Sequence, residues 1–225
     1  MSVAIVTGAS RGLGLALTRE LHARRWTVAV DARDAEALGE AMSGLERILS
    51  IPGDVTEPQH RAQLLAAAGD AVDLVVNNAS ALGPSPQPAL ADYRLAELRG
   101  VYEVNVLAPL ALIQATLPRL TANAVIVNVS SDAAVEAYEG WGGYGSSKAA
   151  LDHLTAVLAA EHPHLHIYAV DPGDMRTQMQ QEAFPGEDIS DRPPPEDSVP
   201  ILLALIAGVL PSGRYRAHEV SAQLA

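Results

Sequence analysis

The chain has 225 residues, enough for a single α/β domain spanning 1–225, and no linker rich in Pro, Gly or Ser divides it before residue 184. Its 15 basic and 27 acidic residues give a formal net charge of −12, which argues against a nucleic-acid or anionic-membrane partner and favours a small molecule. The chain has no Cys, which excludes disulfide bonds, thiolate metal sites and cysteine nucleophiles.

The first residues, MSVAIVTGAS, lead directly into a predicted strand. They lack the basic region and the long apolar core of a signal peptide. No unbroken apolar run reaches the roughly eighteen residues that suggest a membrane span. We therefore expect a cytoplasmic protein with no membrane partner.

Short runs rich in Val and Ile alternate along the chain with longer stretches rich in Ala and Leu. This alternation is typical of parallel strands that are buried on both faces and connected by helices. It predicts strands at 3–7, 27–31, 47–52, 74–77, 124–129 and 166–170, and helices at about 13–24, 34–43, 57–69, 95–121 and 143–161. The expected fold is a doubly wound, mainly parallel α/β sheet with helices on both faces. Such sheets bind ligands beyond the C-terminal ends of their strands.

The C-terminal part of the chain has a different composition. Residues 178–200, QMQQEAFPGEDISDRPPPEDSVP, are polar, acidic and rich in proline. They could form a lid over a substrate or a solvated loop, and composition alone favours the loop. Beyond them, ILLALIAGVL predicts one more buried helix and GRYRAHEV predicts a last strand.

The sequence VTGASRGLG follows the first predicted strand and opens the first helix, with glycines at 8, 12 and 14. Glycine permits a close approach of the backbone, and the N–H groups at a helix N-terminus attract phosphate oxygens. The spacing is G-x-x-x-G-x-G, which differs from the G-x-G-x-x-G fingerprint. A plain strand-to-helix turn would need fewer glycines, so the loop predicts phosphate binding.

Tyr144 and Lys148, in GGYGSSKAALDHL, stand four residues apart on a predicted helix. Their side chains therefore share one face of that helix. Many such pairs are a buried aromatic residue beside a solvated cation. A phenol next to an ammonium is also a candidate acid–base pair.

Five short motifs follow one another along the chain: TGASRGLG at 7–14, NNAS at 77–80, NVSS at 128–131, YGSSK at 144–148 and DPGDMRT at 171–177. Each comes after a predicted strand or lies on a predicted helix. Together they resemble the short-chain dehydrogenase/reductase family over nearly the whole chain. The resemblance implies a Rossmann fold, a nicotinamide cofactor, and hydride transfer to or from a carbonyl or alcohol carbon.

The resemblance also implies four catalytic residues, Asn105, Ser131, Tyr144 and Lys148. Ser131 is chosen over Ser130 because the family serine commonly lies thirteen residues before the tyrosine. Tyr144 would exchange a proton with the substrate oxygen, which Ser131 would hold. Lys148 would lower the pKa of the phenol and bind the nicotinamide ribose, and Asn105 would fix a water that relays protons to Lys148.

The residues expected to bind the cofactor are Gly8, Ser10, Arg11, Gly12, Leu13, Gly14, Arg33, Asp54, Val55, Asn78, Ala79, Tyr144, Lys148, Pro172, Gly173 and Thr177. In the family pattern, Asp54 and Val55 would flank the adenine ring. Two positions depart from that pattern. Ser80 stands where the family has glycine, which would shift the backbone near the cofactor ribose. Asp171 stands where a small or amide side chain is expected, and a carboxylate there could cap a turn.

Two interpretations of the cofactor compete at the end of the second strand, VAVDARD. An acid there can bind the ribose hydroxyls of NAD, whereas a nearby Arg accommodates the 2′-phosphate of NADP. NAD is favoured if Asp31 ends the strand. Counting from Gly14, however, places Ala32 at the discriminating position with Arg33 directly after it, and Arg11 adds a second positive charge. The sequence therefore favours NADP(H), with NAD(H) as the alternative.

Two rival functions remain open beside the oxidoreductase. One is a cofactor-binding regulatory or scaffold protein of the same fold, which the complete catalytic set disfavours. The other is an isomerase or dehydratase, although such relatives usually carry an additional substrate domain. By resemblance, helix 95–121 and the helix that carries Tyr144 would pair between subunits, so a homodimer or homotetramer is expected. The histidines of HPHLH at 162–166 have no carboxylate pair to complete a ligand set, so no metal site is expected.

Overall fold

A computed structural model describes residues 2–217 of the chain. Its strands are β1 Val3–Val6, β2 Thr27–Ala32, β3 Ile48–Pro52, β4 Val72–Asn77, β5 Leu120–Val129, β6 His166–Asp171 and β7 Gly213–Arg216. All pair in parallel, in the order β3-β2-β1-β4-β5-β6-β7. The chain moves outward from β1 in one direction and restarts at β4 in the other, which creates a topological switch point between these two strands.

Helices cover both faces of the sheet. They are α1 Gly12–Ala23, α2 Ala35–Met42, α3 Pro58–Ala68, α4 Leu95–Tyr102, α5 Ala108–Thr116, α6 Gly142–Glu161, α7 Gln178–Ala183 and α8 Val199–Ile206. Val6 packs with α1, α2 and α8, whereas its neighbour Ile5 points to the other face and packs with α3, α5 and α6. Burial on both faces explains why the strands are nearly continuous apolar runs. The predicted doubly wound α/β fold is confirmed.

The helix predicted over 95–121 is interrupted. A π-helical turn, Glu103–Leu107, separates α4 from α5, and a short 3₁₀ turn, Leu117–Arg119, leads directly into β5. Pro109 lies in the first turn of α5 and has no N–H, so it cannot donate to the carbonyl of Asn105 four residues earlier. The helix widens at this point, which places Asn105 in the irregular turn.

The segment 178–200 is partly ordered as helix, since it contains α7 and a 3₁₀ turn, Pro195–Ser198. The helix predicted beyond it begins earlier and ends earlier than ILLALIAGVL, because α8 covers Val199–Ile206. The predicted last strand is found as β7, Gly213–Arg216, and residues 218–220 of that prediction lie outside the described residues.

Among residues 2–217, the helical stretch Leu95–Arg119 is long and apolar enough to cross a membrane by length and composition alone. Within its most apolar window, 44% of the residues are buried inside the protein. Leu112 and Ile113 belong to the core beneath the sheet. The stretch therefore packs as a core helix, and its charged residues explain why no unbroken apolar run marks it in the sequence.

Candidate active site

A cleft of 1290 Å³ opens at the C-terminal ends of the strands, between the segments that follow β1 and β4. A pocket for one drug-sized ligand measures about 300–1,000 Å³, so this cleft has room for more than one small molecule. The predicted site residues that line it are Gly8, Ser10, Arg11, Gly12, Leu13, Arg33, Asp54, Val55, Asn78, Ala79, Ser131, Tyr144, Lys148, Pro172, Gly173 and Thr177. Gly14 and Asn105 lie behind the lining.

The glycine loop after β1 is held tightly against the segment after β4. Gly8 has a φ of +68°, and a Cβ there would lie 2.8 Å from the Cα of Ala79, so only glycine fits. The amide of Asn78 donates to the carbonyls of Thr7 and Gly8 at 2.8 and 3.1 Å. A Cβ at Gly14 would come within 2.5 Å of the Gly8 carbonyl oxygen, so Gly14 allows α1 to pack against the loop.

The N-terminus of α1 faces this loop without a side-chain cap. Arg11, at the N-cap position, makes no capping hydrogen bond, and the first turn contains no acidic residue. The first N–H groups of α1 therefore suit an anion. The guanidinium of Arg11 donates to Oε1 of Gln178 on α7. The second positive charge that the sequence predicted here thus also holds α7 against the loop.

Asp31, the candidate partner for the NAD ribose, is already engaged within the protein. Its Oδ1 accepts the Gly8 N–H at 2.8 Å, and its Oδ2 lies 3.0 Å from Nε2 of His60. Both Asp31 and His60 are buried. Asp31 therefore anchors the glycine loop. Arg33 is exposed, lines the cleft two residues later, and acts electrostatically on Asp54.

The structure brings the predicted pair Tyr144 and Lys148 together on α6. Both side chains are buried, and Lys148 is the only lysine in the chain. Its Nζ donates to the carbonyl of Val129, at the end of β5, at 2.7 Å. The same Nζ lies 5.5 Å from the centroid of the Tyr144 ring.

Burial is the largest cause of the pKa shifts of both Tyr144 and Lys148. It raises the pKa of Tyr144 to about 12 and lowers the pKa of Lys148 to about 8. The neighbouring hydroxyls of Ser131 and Ser80 act to lower the pKa of Tyr144, but they do not outweigh burial, and two nearby carboxylates reinforce the upward shift. The expected lowering of this pKa by Lys148 is therefore not found. Tyr144 carries its proton at neutral pH and is a proton donor.

Ser131 follows β5 and caps a 3₁₀ turn, Asp132–Ala134. Its Oγ donates to Oδ1 of Asp132 at 2.9 Å. The N–H of Ala133 donates to the same Oδ1 at 2.7 Å and to Oγ of Ser131 at 3.2 Å. The sequence analysis did not identify Asp132, whose only signal is its position directly after the predicted serine.

Asn105 is buried, and its side chain makes hydrogen bonds both to the segment after β4 and to α6. Its Oδ1 accepts the Ala81 N–H at 2.7 Å, and its Nδ2 donates to the Ala81 carbonyl and to Oγ of Ser147, both at 2.9 Å. Ser80, the departure from the family motif, donates to the Asn105 Oδ1 at 3.1 Å. Because the side chain is fully engaged, the predicted relay water would have to be held by the Asn105 backbone.

The segment after β6 forms another wall of the cleft. Oδ1 of Asp171 accepts the Gly173 N–H at 3.0 Å, so this carboxylate caps the turn, as expected. Burial raises the pKa of Asp171, although the Gly173 hydrogen bond opposes the change. Its Oδ2 lies 3.6 Å from Arg214 and 3.9 Å from Arg216, both on β7. Thr177 caps α7 with its side chain.

A row of aromatic side chains packs beside Tyr144, and Trp141 is its member that lines the cleft. The ring centroid of Trp141 lies 5.8 Å from that of Tyr144, 5.8 Å from Phe184 and 6.4 Å from Tyr138. Trp141 and Tyr138 are close to Tyr144 in sequence. Phe184 comes from the proline-rich segment, and its ring packs against Trp141 only because the chain folds back here after α7.

These features fit a nicotinamide dinucleotide. The uncapped N-terminus of α1 and the closely packed glycine loop suit a diphosphate, Arg33 suits a further phosphate, and the ammonium of Lys148 suits ribose hydroxyls. Within residues 2–217, no three His, Asp or Glu side chains are grouped as a metal site would require.

Comparisons with known proteins identify the family of the chain. The model of the short chain dehydrogenase family matches residues 2–188. The oxidoreductase YIR035C of Saccharomyces cerevisiae is 34% identical over 185 residues, 79% of this chain and 72% of that protein. Sepiapterin reductase of Mus musculus is 33% identical over 188 residues, 81% of this chain and 67% of that protein. The crystal structure of a short chain dehydrogenase from Escherichia coli CFT073, complexed with NADPH, has a TM-score of 0.88 at 28% identity and covers 96% of both chains. The chain belongs to the short-chain dehydrogenase/reductase family, whose members are oxidoreductases acting on carbonyl and alcohol groups.

Proposed function

We propose that this protein is an NADP(H)-dependent carbonyl reductase acting on a small molecule. The observation that carries the proposal is the convergence of Ser131, Tyr144 and Lys148 on the cleft that the glycine loop also lines. The similarity to a structure complexed with NADPH supports the cofactor, and the similarity to sepiapterin reductase supports the reaction class.

Bound NADPH supplies a hydride to the carbonyl carbon, so that the carbonyl is reduced to an alcohol while the nicotinamide is oxidised. Tyr144 donates its phenolic proton to the carbonyl oxygen as negative charge develops there. Ser131 holds the same oxygen when its hydroxyl turns from Asp132 toward the substrate. The ammonium of Lys148 lies 5.5 Å from the centroid of the Tyr144 ring, where it would bind the ribose hydroxyls of the cofactor.

Reduction is the direction that the site favours at neutral pH. Because burial raises the pKa of Tyr144 to about 12, the side chain carries its proton at neutral pH and the phenolate is scarce. Alcohol oxidation needs the phenolate, so its rate should increase with pH through the alkaline range. The rate of reduction should not depend on Tyr144 ionisation near neutral pH.

The preference for NADPH rests on the contrast between Asp31 and Arg33. Asp31 is 1% exposed and its carboxylate is oriented by Gly8 and His60, whereas Arg33 is exposed. Arg33 presents a guanidinium at the cleft, where it can bind a 2′-phosphate. We expect NADPH to bind more tightly than NADH.

Fluorescence titration with NADPH and with NADH tests this proposal, using wild type and Arg33→Ala. The substitution should weaken NADPH binding about tenfold or more, the usual effect of losing a charge-assisted hydrogen bond, and should leave NADH binding nearly unchanged. Arg19→Ala is the matched control, because Arg19 is exposed on α1 and does not line the cleft. Equal losses for both cofactors would contradict the assignment of Arg33.

NADPH binding combined with an assay of carbonyl reduction distinguishes the two rival functions from the oxidoreductase. A scaffold protein would bind NADPH yet fail to reduce every member of a panel of aldehydes and ketones. A dehydratase or isomerase would retain NADPH through dialysis and would not consume it. Consumption of NADPH that depends on an added carbonyl compound excludes both.

The proposal also includes the location, domain organisation and assembly of the protein. The protein would act in the cytoplasm as one domain over 1–225, with α7 serving as part of a lid. It would form a homodimer or homotetramer through α4 to α6, and three apolar side chains exposed on this surface support that assembly: Leu95, Leu107 and Val157. Light scattering after gel filtration measures the assembly, and a monomeric mass would contradict it.

A further inference from the structure

The mouth of the cleft beside Tyr144 combines a carboxylate with an aromatic wall. Asp132 and Trp141 both line the cleft there. The hydroxyl of Tyr138 donates to Oδ2 of Asp132 at 3.0 Å, so the carboxylate is tied to the same aromatic row. This arrangement suits a substrate that presents a cation near the reacting carbonyl.

Asp132 keeps hydrogen-bonding capacity for a ligand. An ionised carboxylate has about four lone-pair sites. The protein donors described above are Ser131 and Ala133 on Oδ1 and Tyr138 on Oδ2. One site on Oδ2 remains, and the hydroxyl of Ser131 would leave Oδ1 when it turns to a substrate oxygen.

Asp132 also lacks a cationic partner among residues 2–217. Both arginines of β7 pair with other acids. Arg214 lies 2.8 Å from Asp152 and Arg216 lies 3.3 Å from Glu136, and each also approaches Asp171. The charge of Asp132 therefore acts on the reaction centre, where it opposes the ionisation of Tyr144.

A negative charge at this place hinders the reduction of a neutral carbonyl, because the carbonyl oxygen becomes negative as hydride arrives. A substrate that carries its own cation would neutralise Asp132 and remove the hindrance. The face of Trp141, 5.8 Å from the ring of Tyr144, could also stabilise such a cation.

We propose that the substrate is an amino ketone or amino aldehyde whose protonated amine binds Asp132 and Trp141. Ser131 Oγ lies 2.9 Å from Asp132 Oδ1. Because Ser131 and Asp132 are adjacent and hydrogen-bonded, an amine one or two carbons from the carbonyl can reach Asp132 while the carbonyl oxygen is held by Ser131. This inference rests on the proposed carbonyl reduction, and the amine itself is unchanged by the reaction.

The test compares two ketones of equal shape, 3-(dimethylamino)propiophenone, which is protonated at pH 7, and the neutral 4-methylvalerophenone. NADPH oxidation gives kcat/KM for each. Wild type should prefer the ammonium ketone at least tenfold, the usual effect of a hydrogen bond to a charged group. Asp132→Asn should reduce that preference about tenfold or more and keep the Kd for NADPH.

Glu139→Gln is the matched control, because Glu139 is an exposed acid on the same loop and does not line the cleft. It should leave the preference within about twofold of wild type, since exposed charges interact weakly. A wild-type preference near one, or a preference that Asp132→Asn leaves unchanged, overturns the proposed substrate class. If a panel of neutral aldehydes is also inert with NADPH, the carbonyl reductase function itself is overturned. Unchanged NADPH binding by Asp132→Asn shows that the variant is folded.

Discussion

The buried ammonium of Lys148 should reduce the stability of the folded protein. Its side chain is 2% exposed, and burial lowers its pKa from 10.5 to about 8. A change of this size corresponds to a destabilisation of about 3 kcal/mol when the lysine is charged in both the folded and unfolded states. Lys148→Met removes this cost but leaves the Val129 carbonyl without its donor, which costs about 1–2 kcal/mol. The variant should therefore be more stable by about 1–2 kcal/mol at pH 7, with a melting temperature roughly 4 °C higher.

The destabilisation by Lys148 should decrease as the pH rises. Because the folded-state pKa of Lys148 is lowered, the unfolded chain binds more protons than the folded chain between pH 8 and pH 10.5. The cost is fully present below pH 8 and declines as pH rises through this window. Chemical denaturation of wild type and Lys148→Met at pH 7 and at pH 10 measures the difference, which should shrink at the higher pH.

An independent assay measures the pKa itself. Since Lys148 is the only lysine in the chain, selective ¹³C labelling of lysine gives a single side-chain NMR signal. Its titration midpoint should lie near 8. A midpoint near 10.5, or a Lys148→Met variant that is less stable than wild type by the same amount at both pH values, would refute the reasoning.

Three further substitutions test the contacts that hold the site residues in place. Asn105→Ala should lower the free energy of unfolding by about 2–4 kcal/mol, because it leaves buried groups of Ala81 unpaired, and urea denaturation measures the change. His60→Ala should reduce NADPH affinity severalfold, because Asp31 loses one of the partners that fix its position against the glycine loop; an unchanged Kd would show that the loop does not depend on this pair. Gly8→Ala should abolish measurable NADPH binding in the same titration, since its Cβ would collide with the backbone that follows β4.

Much of the fold could be predicted from the sequence because the strands are buried on both faces. Such strands must be apolar along their whole length, and the runs around Ile5 and Ile126 show it, since both residues are fully buried. The polar motifs were recognisable because each directly follows a strand, where a parallel sheet exposes its C-terminal edge. Family resemblance then supplied the roles of the motif residues.

The remaining features depend on contacts between distant parts of the chain. Asp31 and His60 are 29 residues apart, so their pairing cannot be predicted from the strand that contains Asp31. The engagement of the Asn105 amide by Ala81 likewise depends on tertiary packing. The raised pKa of Tyr144 reflects burial by the surrounding elements, whereas sequence reasoning considered mainly the neighbouring ammonium.

The central claim is that Tyr144 protonates a carbonyl oxygen during reduction by NADPH. The most direct measurement is the rate of carbonyl-dependent NADPH oxidation by wild type and by Tyr144→Phe, together with the Kd of each for NADPH. The account predicts a loss of about a hundredfold or more in kcat, the usual contribution of a general acid, with nearly unchanged cofactor binding. A Tyr144→Phe variant that turns over at the wild-type rate would contradict it.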